Sequence, residues 1–322
     1  MATATLPGMV QPARSLQLFS RLIGGDIHAY DVASGSFGLL SPAAVFQPSP
    51  GDDVVDHTVS ADLERAVYTT LNAAVCVTRD GTEVWRSAFE PLSAERYGHK
   101  PSCTLSLDDR VAWVYRPDGM AGRNRPDQWV ILDAQTGGLI AQADLETFGH
   151  GGLHYRHPAG EHLLLDVGEG QDGLTIFRGA LDGSRLDLVR YPWNDRSLIA
   201  LTPGGDHFMT VHHEQTDVAF HTYPDGDVTL ELSLESFGYD LEEAGVEYSG
   251  GYLTPDTAIV AIAGETEDEE EWFRHYSVDL RSGQIEGEFE GHAEDPYDVE
   301  PLGDGSWLTT DPSGAPIRWS AR

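Results

Sequence analysis

A recurring turn limits the folds open to this chain more than any other feature. Six times an apolar, strand-like run ends in a short polar turn closed by glycine, and another run follows. The copies are "AYDVASGSFGLL", "CVTRDGTEVW", "VILDAQTGGLIA", "RGALDGSRLDL", "HTYPDGDVTLEL" and "SVDLRSGQIEGEF". Their turn glycines are Gly35, Gly81, Gly137, Gly183, Gly226 and Gly283, separated by 46, 56, 46, 43 and 57 residues. Glycine reaches the positive φ that a tight hairpin turn needs. A second strand pair belongs to each unit, as in "PSCTLSLDDRVAWVYR", "SLIALTPGGDHFMTV" and "GGYLTPDTAIVAIA". Two loops are near copies, "LETFGH" at 145–150 and "LESFGY" at 234–239. A period of roughly 40–45 residues, stretched twice, is the length of a four-stranded antiparallel unit. One such unit cannot bury both its faces, whereas units stacked in a closed ring can.

The turn "D-x-x-[ST]-G" in "DVASG", "DAQTG" and "DLRSG", the "GH" pairs at 98–99, 149–150 and 291–292, and the "LTPGGDHFMTV" hairpin resemble the WD-repeat and related bacterial β-propellers. The resemblance covers nearly the whole chain, although no unit carries the Trp-Asp pair. It implies an all-β, single-domain propeller of four-stranded blades over residues 1–322. Six blades fall at about 16–45, 52–92, 99–147, 150–192, 195–238 and 246–291. A seventh, "YDVEPLGDGSWLTTDPSGAPIRWS", holds three strands, and "ATATLPGMV" (residues 2–10) is expected to supply its outer strand and close the ring. Six blades with a stray C-terminal hairpin are the alternative. "ESFGYDLEEAG" is the only stretch that suggests a helical turn.

Charge and composition narrow the partners. Asp and Glu number 53 against 20 Lys and Arg, a formal net charge of −33, and Lys100 is the only lysine. Such a field repels nucleic acid and anionic membranes and favours a protein or small-molecule partner. The densest acidic run, "GETEDEEEW" at 264–272, lies between two apolar strands and reads as a solvated hairpin loop. Cys76 and Cys103 sit in strand-like runs as small buried thiols. With no disulfide framework, no basic n-region leading into an apolar stretch, and no apolar run of membrane-spanning length, the expected location is cytoplasmic.

The candidate chemistry lies in "GHGGLHYRH", residues 149–157. When the first strands of the blades are aligned, "HYRHP" at 154–158 matches "IALTP" at 199–203, so His154 and Arg156 stand where Ile199 and Leu201 stand. Polar groups there need partners, and Asp298 and Glu300 are candidates. His150, His154, Arg156 and His99 form the expected ligand pocket, with Gly151 and Gly152 clearing space. His57, His99, His150 and His292 fall in or beside the loops at one channel mouth and form a candidate divalent-metal set. In WD-repeat proteins the resemblance implies structural hydrogen bonding for a "GH" histidine. "TVHHEQTD" (210–217) puts adjacent histidines on opposite strand faces, and "DVGEGQDG" (166–173) offers Asp166, Glu169 and Asp172 as a candidate calcium turn without EF-hand spacing. Trp85, Trp113, Trp129 and Trp193 read as inter-blade core.

No P-loop, nucleophile elbow or dinucleotide fingerprint is present. Two function classes follow. One is a non-catalytic propeller that binds a protein or small ligand through its channel face, with no cofactor. The other is a metal-assisted lyase or hydrolase with a histidine-lined site at the channel mouth.

Overall fold

The protein is described here from a computed structural model, which describes residues 17–34, 36–266, 268 and 270–320. The chain folds into a seven-bladed β-propeller of antiparallel sheets. The innermost strands of blades 1 to 7 are Leu18–Ile23, Asp56–Val59, Ser102–Leu105, Gly151–Arg156, Arg196–Leu201, Ala244–Thr254 and Glu300–Pro301. Among the described residues blades 2 to 7 have four strands each, and blade 1 has three. Among the described residues the only helices are three 3-10 turns, one of them at Leu234–Phe237, where the helical turn was expected. No helix is long and apolar enough to cross a membrane.

Strand periodicity explains why the ring holds. Successive side chains point to opposite faces, so each strand feeds two seams. Ala112 and Val114 pack toward blade 2, whereas Trp113 and Tyr115 pack toward blade 4. The buried apolar residues accordingly divide into seven clusters, one for each pair of neighbouring blades. Trp85, Trp113 and Trp129 are buried in these seams, and Trp193 packs at the edge of another. Cys76 and Cys103 are free thiols in the seam between blades 2 and 3, and burial pushes the Cys76 thiol up to about 11.

The turn glycines behave as the repeat requires. Gly81, Gly137, Gly183, Gly226 and Gly283 all have φ between 61° and 81°; Gly35 lies outside the described residues. The acidic run at 264–272 joins Thr257–Glu265 to Glu271–Asp279 as a hairpin.

Closure differs from expectation in one respect. The fourth strand of blade 7, beside Pro316–Ser320, is Gly38–Leu39. Residues 2–10, assigned that edge from sequence, lie outside the described residues. The chain leaves blade 1 after Asp26–Asp31, adds two residues to blade 7, and returns as Ala44–Phe46. An edge strand presents unpaired backbone groups to any segment within reach, and this excursion is the nearest one.

Candidate functional site

The inner strand of blade 4 runs from one face of the ring to the other, so its two ends cannot share a pocket. Gly151 and Arg156 are separated by five residues of extended chain, about 16 Å at 3.3 Å per residue. His150 therefore opens on one face and Arg156 on the opposite one. His154 lies between them, inside the seam with blade 3.

His154 is a structural residue. Trp129 Nε1 donates a hydrogen bond to its Nε2 at 3.1 Å, and Ser102 Oγ is 3.2 Å from its Nδ1. Because the indole donates to Nε2, the neutral ring carries its proton on Nδ1 and gives it to Ser102. Burial pulls the His154 pKa down to about 3. The polar residue in an apolar register thus satisfies a buried tryptophan N–H.

The proposed partners of Arg156 are a correction. Glu300 pairs with Arg21, and Asp298 accepts the Thr310 N–H at 2.7 Å. The counter-charge acting on Arg156 is Asp109, on a turn of blade 3.

The four candidate metal histidines do not converge either. His57 Nδ1 is 2.9 Å from Ser20 Oγ, and burial followed by the charge of Arg21 brings its pKa down to about 4. His99 turns into its own blade, with Nε2 3.1 Å from the Glu95 carbonyl. His292 lies over the Trp319 ring at a centroid distance of 4.2 Å. His150 is exposed at the mouth, as His292 is on its own loop, and its Nδ1 is 3.0 Å from the Gly98 carbonyl. Among the described residues no group of three or more His, Cys, Asp or Glu is placed to hold a metal ion. Each imidazole has its own local contact, with Ser20, Glu95, Gly98 or Trp319, and the four are not gathered on one ion.

What the fold does assemble is a cavity of about 540 Å³ on the channel axis, walled by blades 2 to 6. Its titratable groups are Asp56, Lys100, His150, Asp166, His213 and Tyr248, beside Ser102 and Ser197. The Lys100 N–H donates to the His150 carbonyl at 2.7 Å and ties blade 3 to blade 4 at the rim. The glycines of "GHGG" have a packing reason: a Cβ on Gly149 would meet the Tyr115 hydroxyl at 2.4 Å, and one on Gly152 would meet the Tyr115 ring at 3.1 Å. Leu153, 62% exposed, projects from the inner strand into this space.

Asp166 is the most constrained group there. Its Oδ2 accepts from Ser197 Oγ at 2.8 Å and from the Leu198 N–H at 3.0 Å, joining blade 4 to blade 5. Its Oδ1 is buried without a partner among the described residues. The candidate calcium turn is not assembled: Glu169 accepts from the Phe148 N–H, and Asp172 lies in an exposed 3-10 turn. In "TVHHEQTD" the alternation holds, with His212 3.5 Å from Asp195 and His213 on the channel cavity. Sequence reasoning passed over Lys100 and the axial role of Asp166; the one available signal was that Lys100 is the sole lysine, beside a "GH" loop.

Burial raises the Asp166 pKa from 3.8 to about 7, against the opposing hydrogen bonds from Ser197 and Leu198. The folded chain therefore holds this proton more tightly than the unfolded chain. The resulting stabilisation is complete below about pH 4 and is lost as the pH rises to about 7. Asp166→Asn cannot ionise, so its stability relative to the parent is expected to climb across that window and level off above it. Urea denaturation of both proteins at several pH values measures this; a difference that does not vary with pH would contradict it.

No protein-family profile matches the chain, and no curated protein matches it. Solved structures do. The β-propeller domain of Cps50 (Swd1) from Myceliophteria thermophila is 10% identical with a TM-score of 0.59, covering 97% of this chain and 95% of that one. The Dos1 propeller is 11% identical with a TM-score of 0.56, covering 92% and 74%. Hydrazine synthase from Kuenenia stuttgartiensis is 13% identical with a TM-score of 0.53, covering 79% and 72%. At these identities the likeness is one of fold. The neighbours include an enzyme, so the fold does not choose between binding and catalysis.

Proposed function

We propose that this propeller is a non-catalytic binding module that takes a small polar ligand at the mouth of its central channel. The observation that carries the reading is Asp166 Oδ1, a buried carboxylate oxygen without a partner among the described residues, in the wall of a cavity of about 540 Å³. Buried acceptors are nearly always satisfied. A ligand ammonium, hydroxyl or amide N–H satisfies this one. Lys100, on the same wall, supplies a donor for a carboxylate or carbonyl of the same molecule, and His150, whose Nδ1–H is given to the Gly98 carbonyl, offers Nε2 as an acceptor. The glycine-rich floor and Leu153 provide an apolar bed, the usual composition of a small-molecule site. A metal-assisted reaction on the mouth histidines lacks comparable support, because His57, His99 and His292 are engaged elsewhere.

Leu153→Trp tests the reading, since Leu153 is exposed and the added ring plugs the cavity without disturbing a seam. Amino, hydroxy and carboxylic acids are screened for stabilisation of the parent protein. Compounds that bind are expected to lose about tenfold or more in affinity to the variant, while its melting midpoint without ligand stays put. Hits that bind both proteins equally, or a screen that finds none, would argue against it.

A further inference from the structure

Arg156 is left over from the channel site, and the opposite face of the ring holds a second cavity built around it. This space of about 420 Å³ lies between blades 3 and 4. Its apolar wall comes from Val111 and Trp113 of blade 3 and from Leu163 and Leu181 of blade 4. We propose that it binds a small amphiphilic anion, a flat apolar body carrying one carboxylate or sulfonate group, with the head on the Arg156 guanidinium and the body against Trp113.

The other charges facing the cavity are engaged or solvated: Arg110, the second cation there, is exposed and lies beside the charge of Asp133. Asp133 Oδ1 accepts from the Gln135 N–H, the Thr136 N–H and the Thr136 hydroxyl within its own turn. Asp108 Oδ1 accepts from Ser106 Oγ and from the Arg110 N–H. His162 packs edge-on against Tyr223, and Glu161 is exposed to solvent. Asp109, the counter-charge acting on Arg156, accepts the Ala61 N–H on Oδ2 at 2.7 Å, and it forms no ion pair with Arg156. Arg156 makes no hydrogen bond and no ion pair with any described residue, and it ends an inner strand whose other polar side chain, His154, is satisfied by Trp129 and Ser102. Half-buried and without a partner among the described residues, the Arg156 guanidinium has its planar fork available for a carboxylate or sulfonate. At the aligned position blade 5 carries Leu201, so the propeller fold itself does not require a cation there.

The test uses anilinonaphthalene sulfonate, an apolar anion that fluoresces when sheltered, and neutral phenylnaphthylamine as its uncharged counterpart. The parent protein is expected to bind the anion saturably, with energy transfer from tryptophan, and to hold the neutral probe more weakly. Arg156→Met should weaken the anion by about tenfold or more and leave the neutral probe within about twofold. Arg281→Gln, which removes an exposed arginine of blade 6, should change neither. Benzoate should displace the anion from the parent protein and benzamide should not, a comparison that needs no variant to fold. Anion binding unaffected by Arg156→Met, or displacement by benzamide as effective as by benzoate, would overturn the proposal.

Discussion

Asp118→Asn is expected to destabilise the protein by about 3–5 kcal/mol, because it strips the charge that pairs with two buried arginines, Arg116 and Arg123, and with the partly exposed Arg125. Asp118 is fully buried. Its Oδ1 accepts from Arg123 at 3.0 Å, and its Oδ2 accepts from Arg125 Nε at 2.6 Å and lies 3.2 Å from Arg116 Nη2. The arginines carry the load onward: Arg123 donates to the Pro91 and Leu71 carbonyls and to Asn72, and Arg125 donates to the Glu90 carbonyl. The cluster thereby fastens the exit loop of blade 2 to blade 3 beside the channel mouth. The asparagine keeps the shape and loses the charge, which leaves the guanidinium groups desolvated and mutually repelling. The melting midpoint should fall by on the order of 10 °C. Arg281→Gln, at an exposed pair with Asp256, should cost about 1 kcal/mol or less. Arg116 Nε already lacks a partner, so adding Arg116→Met to Asp118→Asn should restore part of the loss. Thermal unfolding of the four proteins measures the set, and an unchanged midpoint for Asp118→Asn would refute it.

Arg318→Met is expected to open the ring at its seam. The Arg318 side chain is buried and donates to the Val32 carbonyl, to Asp304 at 2.6 Å and to Ser306 at 3.0 Å. It lies on the strand that pairs with Gly38–Leu39, so one side chain holds the end of the first blade against the last. Methionine keeps the apolar stem and drops every donor. The variant should lose about 1–3 kcal/mol, chiefly because the Val32 carbonyl loses its donor, while Asp304 keeps its bonds from Ser306. The loss should also be local. Exchange of the Leu40 amide, which donates to the Pro316 carbonyl at 2.9 Å, should accelerate far more than that of Ile131 in the seam between blades 3 and 4. Equal acceleration at both sites would show that Arg318 stabilises the ring as a whole and does not latch it.

Individual residues show how much of the site could be read in advance. His150 was placed at the channel mouth from its loop position alone, and it lines the cavity there. His154 was identified as anomalous from strand register, but its explanation lies in Trp129 and Ser102, which are 25 and 52 residues away in the chain. Strand alignment and the flanking glycines point to one pocket for Arg156 and His150, yet an extended strand carries them to opposite faces. Asp166 read as part of a glycine-rich turn, and its axial role appears only when blade 5 brings Ser197 and Leu198 against it.

The sequence by itself determined the blade. Alternation of apolar side chains with a period of two, and glycine at turns that need positive φ, are local properties, and they act before any tertiary contact exists. Repeating them around a length sufficient for seven units leaves apolar faces that only a closed ring can bury. Tertiary structure alone decided which strand closes the ring, which histidines face one another and which carboxylate is left bare on the axis. Those outcomes depend on how one blade rotates against the next. That rotation is set by side-chain volumes across each seam, such as Tyr115 against Gly149 and Gly152, which are contributed by segments distant in the chain.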